Sequence, residues 1–262
     1  MDILLLPLLA CIILVCIHVY FGSFVLKRGI IFIDLALAQW AALGYIVGHL
    51  LHIHSHILLL LTSFGFTAIA ALILSLLKPL YQANNLQEAV IGVTYITANA
   101  IAIGLISSFG LDGHHFQEML TGHLLFIHPS EIITTYLSYF CIGLLLIKLH
   151  PYFVKNTSPK WDFTFYLLFG LVVTSSVKMV GILLVFSFLV IPLLSITLLT
   201  QSFKKQLSYG WLVGIISSII GLLLSLLIDV PPSIAIIFVL IGIWIATTLY
   251  YKLFIKKQNL NP

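Results

Sequence analysis

Nine long apolar segments, almost unbroken by charge, limit what this chain can fold into. They lie roughly at residues 3–26, 30–50, 57–77, 89–110, 132–149, 163–177, 179–200, 207–228 and 234–254. Most are about 20 residues long, enough for a helix to cross roughly 30 Å of hydrocarbon. Only 8% of residues are charged and 61% are apolar, against about 25% charged in a soluble domain. A chain of 262 residues folded in water could not hide that much apolar surface. Barrel strands would alternate apolar and polar residues over about 10 positions, and these segments do not. The predicted fold is therefore all-α, a polytopic membrane protein of about nine transmembrane helices in a single domain over 1–262, with lipid as its main solvent. The sixth and seventh segments nearly touch, so eight spans is the competing count.

Charge placement orients the chain. With nine spans, one side receives Lys27, Arg28, Lys78, Lys148, Lys155, Lys160, Lys204, Lys205, Lys252, Lys256 and Lys257, which is 11 of the 12 basic residues. The positive-inside rule makes that side cytoplasmic, which puts the N-terminus outside and the C-terminus inside. The basic residues are spread over several loops, so the net charge of +4 does not point to nucleic acid. Leu8-Leu9-Ala10-Cys11 has the look of a lipoprotein cleavage box, but only Asp2 precedes it where a signal peptide carries positive charge. It reads as part of a retained first span. Cys11, Cys16 and Cys141 lie inside apolar segments and read as small core residues, without disulfide or metal-site spacing.

The outer side is rich in imidazole and carboxylate. It receives His49, His52, His54, His56, His114, His115, His123 and His128, eight of the ten histidines, together with Asp2, Asp112, Glu118, Glu131 and Asp229. These are ligands suited to first-row divalent metals. His52, His54 and His56 form the densest tract. Asp112-Gly-His114-His115 leads to Glu118, and on a helix His115 and Glu118 would share a face. Both groups are also compatible with ordinary interfacial side chains.

Ionisable residues inside the membrane are costly and mark function by default. His18 lies in the first span, Asp34 and the neutral Gln39 in the second, and Lys178 at the sixth–seventh junction. Glu88 and Asp162 fall at segment ends and are expected at the interface. Asp34 is a pathway candidate; the structural alternative is a salt bridge or helix cap near Lys27 and Arg28. Pro192 within the seventh span, and Pro231-Pro232 before the last, interrupt backbone hydrogen bonding.

Three motifs resemble a known family. Gly22-Ser-Phe-Val-Leu-Lys27-Arg28, followed by Asp34-Leu-Ala-Leu-Ala-Gln39 and Gly44, resembles the opening of the zinc/manganese/iron ABC transporter permeases, the ABC-3 family. Val180-Gly181-Ile-Leu-Leu through Ile191-Pro192 resembles that family's later helix. Asp229-Val-Pro231-Pro232-Ser233 resembles the turn before its last helix. The order of the motifs covers nearly the whole chain.

The resemblance implies the membrane-spanning subunit of an importer for zinc, manganese or iron. It implies a homodimer with the pathway on its axis and no permanently bound cofactor, the divalent metal being substrate. A separate cytoplasmic ATPase would supply energy, and a solute-binding protein outside would deliver metal. No Gly-x-x-x-x-Gly-Lys-Ser/Thr phosphate loop occurs in the chain itself. Better-known members carry His four residues after the Asp; here that position is Ala38, and Gln39 takes the place when Gly44 is aligned. Asp34 and Gln39, with His18 as an ionisable residue inside the first span, are the pathway candidates. The related permeases place their ATPase-coupling element in the inner loop before the sixth span, which here contains Tyr152, Lys155 and Trp161. Pro151 and Pro159 make this the longest expected inner loop, with room only for a short helix.

Competing functions are a secondary metal or proton-coupled carrier, a membrane enzyme or haem protein, and a membrane assembly subunit. A carrier would show repeats and several intramembrane carboxylates, where Asp34 stands out alone. A bis-His haem needs two mid-span histidines, and only His18 qualifies.

Overall fold

The computed structural model describes residues 2–82, 86–109, 122–155 and 158–255, and every regular element among them is helical. Nine α-helices follow in order: α1 Asp2–Arg28, α2 Ile33–Leu50, α3 His56–Gln82, α4 Gln87–Phe109, α5 Pro129–Lys155, α6 Pro159–Val180, α7 Ile182–Thr197, α8 Phe203–Ile228 and α9 Pro232–Tyr250. A 3₁₀ turn at Leu124–Phe126 precedes α5, and a π turn at Tyr251–Ile255 continues α9. Eight of the nine are long and apolar enough to cross a membrane; α7, with 16 residues, is shorter. Helices are the expected solution because each satisfies its own backbone groups where no water can.

Three boundaries differ from the sequence expectation. α3 continues through Lys78 and Pro79 to Gln82, so Lys78 is not a loop residue. α5 continues through Pro151 to Lys155, and α6 starts at Pro159. The expected long inner loop is thus a tight hairpin with only residues 156–158 between its helices. Pro159 occupies the first helical position, where a missing N–H costs nothing. The sixth and seventh segments are separate helices, parted at Gly181, whose φ of +83° ends α6. A side chain there would be strained in this left-handed conformation.

The helices sort into two compact units. One holds α1 up to Lys27, the 3₁₀ turn with the start of α5, and α7 from Leu183 through α9. Its helices approach closely over small residues. Gly22 of α1 lies against the Leu189 backbone of α7, and a Cβ there would fall 3.0 Å from the Leu189 carbonyl carbon. On α8, Gly210 and Gly214 face Val19 and Val15 of α1, while Gly221 faces the Ile236 backbone of α9. Trp211 Nε1 donates to the Cys16 carbonyl at 3.0 Å, and Ser225 Oγ to the Val230 carbonyl at 2.7 Å. A single interhelical hydrogen bond is worth about 0.6 kcal/mol in a membrane, so close backbone packing carries more of the association. The α8–α9 turn runs through Asp229 in the left-handed region, with Pro232 opening α9. Cys11 is buried in this unit and Cys16 half-buried.

Gly221→Ala tests that packing. Its Cβ would sit 2.5 Å from Ile236 Cα and 2.8 Å from Ile236 N, and backbone cannot step aside as a side-chain tip can. Overpacking costs about 1–3 kcal/mol. The variant should melt several degrees lower in detergent, and an unchanged melting temperature would show that α8 and α9 do not pack this way.

The second unit holds Arg28, α2, α3, α4, most of α5, and α6. α2 packs against α3, α4 and α6. It is the least apolar span, with mean hydropathy 1.2, yet 67% of it is buried; α8, at 2.5, is 33% buried. Lipid contact would favour the opposite ranking. α2 is therefore a helix shielded by its neighbours, the position in which a polar function can reside. Leu43 and Ile46 of α2 pack with Ala98 and Ala102 of α4, flanked by Trp40 and Phe66. Trp40 Nε1 donates to the Thr94 carbonyl at 3.1 Å. Thr67 of α3 meets Thr174 of α6 at 3.0 Å, and Tyr139 of α5 donates to the Val172 carbonyl at 3.1 Å. Ile133, Leu137, Phe140, Leu144 and Ile147 remain exposed at helical spacing on α5, a face made for lipid. Cys141 is exposed on the same helix, unlike the core residue expected.

Candidate functional site

Asp34 stands in the first turn of α2 and Gln39 little more than one turn further on. Five residues along a regular helix are about 500°, leaving the two side chains some 140° apart. Both are nonetheless buried, at 1% and 3% relative exposure. Neither Asp34 carboxylate oxygen has a hydrogen-bond partner among the described residues, and neither does Gln39 Oε1. Around Asp34 the buried residues of the same helix are apolar, Ile33, Ala36, Leu37, Ala38, Ala41 and Ala42, apart from Gln39.

The energetics are one-sided. The α2 macrodipole favours a carboxylate in the first turn by about 0.3–1 kcal/mol, up to roughly 2 when partly buried. Removing a charge from water costs several kcal/mol even after relaxation. The helix end offsets only part of that cost. A proton or a cation can supply the remainder, and a carboxylate with neither oxygen partnered among the described residues offers hard-oxygen donors to a cation.

The salt-bridge alternative for Asp34 fails. Lys27 lies over the Phe203 ring, 4.7 Å from its centroid. Arg28 turns to Asp162 instead, with Nη1 at 3.3 Å from Oδ1. Lys78 reaches the other oxygen of Asp162 at 2.6 Å. Asp162 is therefore buried, at 4% exposure, where the sequence placed it at the interface. Arg28 Nη2 also donates to the Phe153 carbonyl at 3.0 Å, and its guanidinium lies 4.3 Å from the Phe165 centroid. Glu88 is likewise drawn inward: Oε1 accepts the Ile31 N–H at 2.5 Å, while Oε2 has no partner among the described residues.

The remaining candidates are dispersed. His18, fully buried in the unit without α2, has Nδ1 2.8 Å from the Leu14 carbonyl of its own helix. His52 and His54 are exposed in the α2–α3 turn, His52 with a left-handed φ of +55°, and His56 opens α3. His114, His115 and Glu118 lie outside the described residues. No group of three or more His, Cys, Asp or Glu among the described residues is arranged to hold a metal ion. Lys178 is exposed in the last turn of α6. Tyr152 and Trp161 meet across the α5–α6 hairpin, rings stacked at 4.2 Å and 19°, and Lys155 ends α5 beside them. The sequence singled out these three but not the stack, and it missed the Arg28–Asp162–Lys78 triad.

Comparison with known proteins agrees with this architecture. The manganese transport system membrane protein MntC of Halalkalibacterium halodurans is 23% identical over 233 residues, 83% of this chain and 77% of that protein. A probable metal transport system membrane protein of Treponema pallidum is 24% identical over 65% of this chain and 68% of its own length. A probable iron transport system membrane protein of Haemophilus influenzae is 25% identical over 65% and 67%. PsaBC from Streptococcus pneumoniae, solved in complex with Fab, shares the fold with a TM-score of 0.76 at 18% identity, over 94% of this chain and 91% of that one. The helices and these relatives describe a multi-pass protein of the bacterial plasma membrane. The ABC 3 transport family matches residues 1–251, both compact units included, and the chain belongs to that family.

Proposed function

We propose that the chain is the permease subunit of an ATP-binding cassette importer for divalent metal ions, zinc, manganese or iron. The observation that carries this reading is the buried Asp34 carboxylate of α2, with neither oxygen partnered among the described residues. A transient divalent cation relieves the cost of that charge. The names of the manganese, iron and other metal transport relatives support the same cargo. One carboxylate is too few ligands for a divalent ion, so waters or a second copy of the chain complete the shell. A homodimer with Asp34 at its axis meets that need, and both compact units then belong to one permease domain.

ATP hydrolysis belongs to a separate cytoplasmic subunit docked at the α5–α6 hairpin, through Tyr152, Lys155 and Trp161. A solute-binding protein delivers metal on the opposite side, the one the charge pattern gives to the N-terminus, with His52, His54 and His56 of the α2–α3 turn as candidates and His114, His115 and Glu118 added from the sequence alone. The metal is cargo, and no cofactor is held permanently. Neighbouring genes for an ATPase and a metal-binding lipoprotein would support this arrangement. The direct test is uptake of manganese, zinc and iron into proteoliposomes holding the permease with its ATPase. ATP-dependent uptake is expected; uptake driven by a proton gradient without ATP would replace the importer by a carrier.

Gln39 should govern choice among metals more than rate. An amide oxygen is a neutral, weak ligand, and its removal leaves the charge of Asp34 in place. Gln39→Ala should shift the manganese-to-zinc uptake ratio by about 10-fold, the scale on which outer ligand partners act, with total uptake changed less. An unaltered ratio would remove Gln39 from the pathway.

A further inference from the structure

We propose that Asp162, clamped between Arg28 and Lys78, is the strut through which the α5–α6 hairpin moves the corner that carries Asp34. The inference rests on the importer reading above and names the positioning residues for its pathway.

The connections lie within one compact unit and can be followed residue by residue. Asp162 immediately follows Trp161 of the aromatic stack, in the first turn of α6. Its two oxygens hold Arg28, the last residue of α1, and Lys78, near the inner end of α3. Arg28 also bonds the Phe153 carbonyl, next to Tyr152, so it grips both arms of the hairpin. The Phe165 ring lies under the guanidinium and packs edge-on to Phe153 at 5.4 Å. Arg28 is thus fixed in direction as well as in charge.

Only residues 29–32 separate Arg28 from α2. That corner has little slack. Ile31 N–H is held by Glu88, Ile33 N–H bonds the Ile30 carbonyl at 3.2 Å, and Ile30 is buried at 1% exposure. A displacement of Arg28 therefore passes into the first turn of α2, where Asp34 stands. A triad is a costly way to hold helices together, because replacing one by apolar residues of similar volume is often neutral or stabilising. Its geometry here, one carboxylate joining a hairpin to two other helix ends, fits a transmission element better than a staple.

The same property makes the strut separable from stability. In Arg28→Met/Asp162→Leu/Lys78→Met the polar links vanish together, so no charge is left buried alone. The full-length permease, with its ATPase and solute-binding subunits in proteoliposomes, is assayed with manganese(II) for uptake and ATP hydrolysis in the same sample. The triple variant should insert, assemble and hydrolyse ATP at the wild-type rate. Manganese carried per ATP should fall about tenfold, within the range of ordinary coupling energies. Arg28→Lys, which keeps the charge but loses the fork, should lower the same ratio about 5-fold. Asp162→Glu should retain most of it.

Wild-type manganese-to-ATP ratios in both the triple variant and Arg28→Lys would overturn the strut while leaving the importer reading intact. Should the triple variant fail to insert, Arg28→Lys decides alone. Absence of ATP-driven uptake in the wild type would instead remove the importer reading, and the strut with it.

Discussion

Asp34→Asn should abolish metal uptake while leaving membrane insertion and the helical fold in place. Asn is nearly isosteric with Asp, so α2 keeps its packing against α3, α4 and α6. No hydrogen bond is lost, because neither carboxylate oxygen makes one among the described residues. The change also removes a buried charge, so the variant should be at least as stable as the wild type. What would disappear, on the importer reading proposed above, is the negative charge that draws a divalent cation to α2. Altering groups that only support a metal ligand typically costs 10–100-fold in affinity or activity, so losing the ligand itself should exceed about 100-fold. Uptake of manganese into proteoliposomes, set beside a detergent melting curve, gives both halves of the result. Lost uptake with a raised or equal melting temperature assigns Asp34 to transport. Full uptake by Asp34→Asn would reduce Asp34 to a structural residue and leave the outer histidines as the remaining metal-binding candidates.

The order of helices and the singular position of Asp34 were legible because each depends on local sequence. Apolar runs of span length carry their own signal, and a carboxylate inside one stands out at once. The partners of Asp162 carry no such signal: Arg28 and Lys78 lie 134 and 84 residues away. A charge at the end of an apolar run also looks interfacial by default, and only the fold shows that three such ends converge. Proline misled in a different way. Pro151 suggested a break, yet α5 continues through it for four more residues. Pro159 suggested a loop and instead starts α6. The packing of α8 had a readable signal that went unused, Gly210-xxx-Gly214-xxx-Ser218-xx-Gly221, a small residue on nearly every turn. Which helix that stripe would meet is a property of the fold and not of the spacing.

Tyr152→Ala and Trp161→Ala should separate ATP hydrolysis from transport without unfolding the permease. The two side chains stack across the mouth of the hairpin, where α5 and α6 are joined by residues 156–158. Tyr152 is 46% exposed and Val154 60%, with Pro151, Lys155 and Lys160 exposed around them. Tyr and Trp are the residue types enriched where binding energy concentrates, and here polar lysines surround them as a rim would. A stacked pair contributes about 0.5–1.5 kcal/mol beyond its buried area. That is small for a nine-helix protein, so melting should fall by only a few degrees, at about 2–4 °C per kcal/mol in a domain of this size. Truncating an aromatic anchor at an interface, by contrast, costs about 2 kcal/mol or more, roughly 30-fold in affinity. Lys155→Ala, at the rim, should act mainly on association rate and on its salt dependence. Titrating the ATPase onto permease in nanodiscs, followed by the manganese-to-ATP ratio, separates the two effects. Wild-type affinity and wild-type coupling in both aromatic variants would move the ATPase contact away from this hairpin, to another turn such as 198–202 between α7 and α8, where Leu198 and Leu199 are exposed and Lys204 follows at the start of α8.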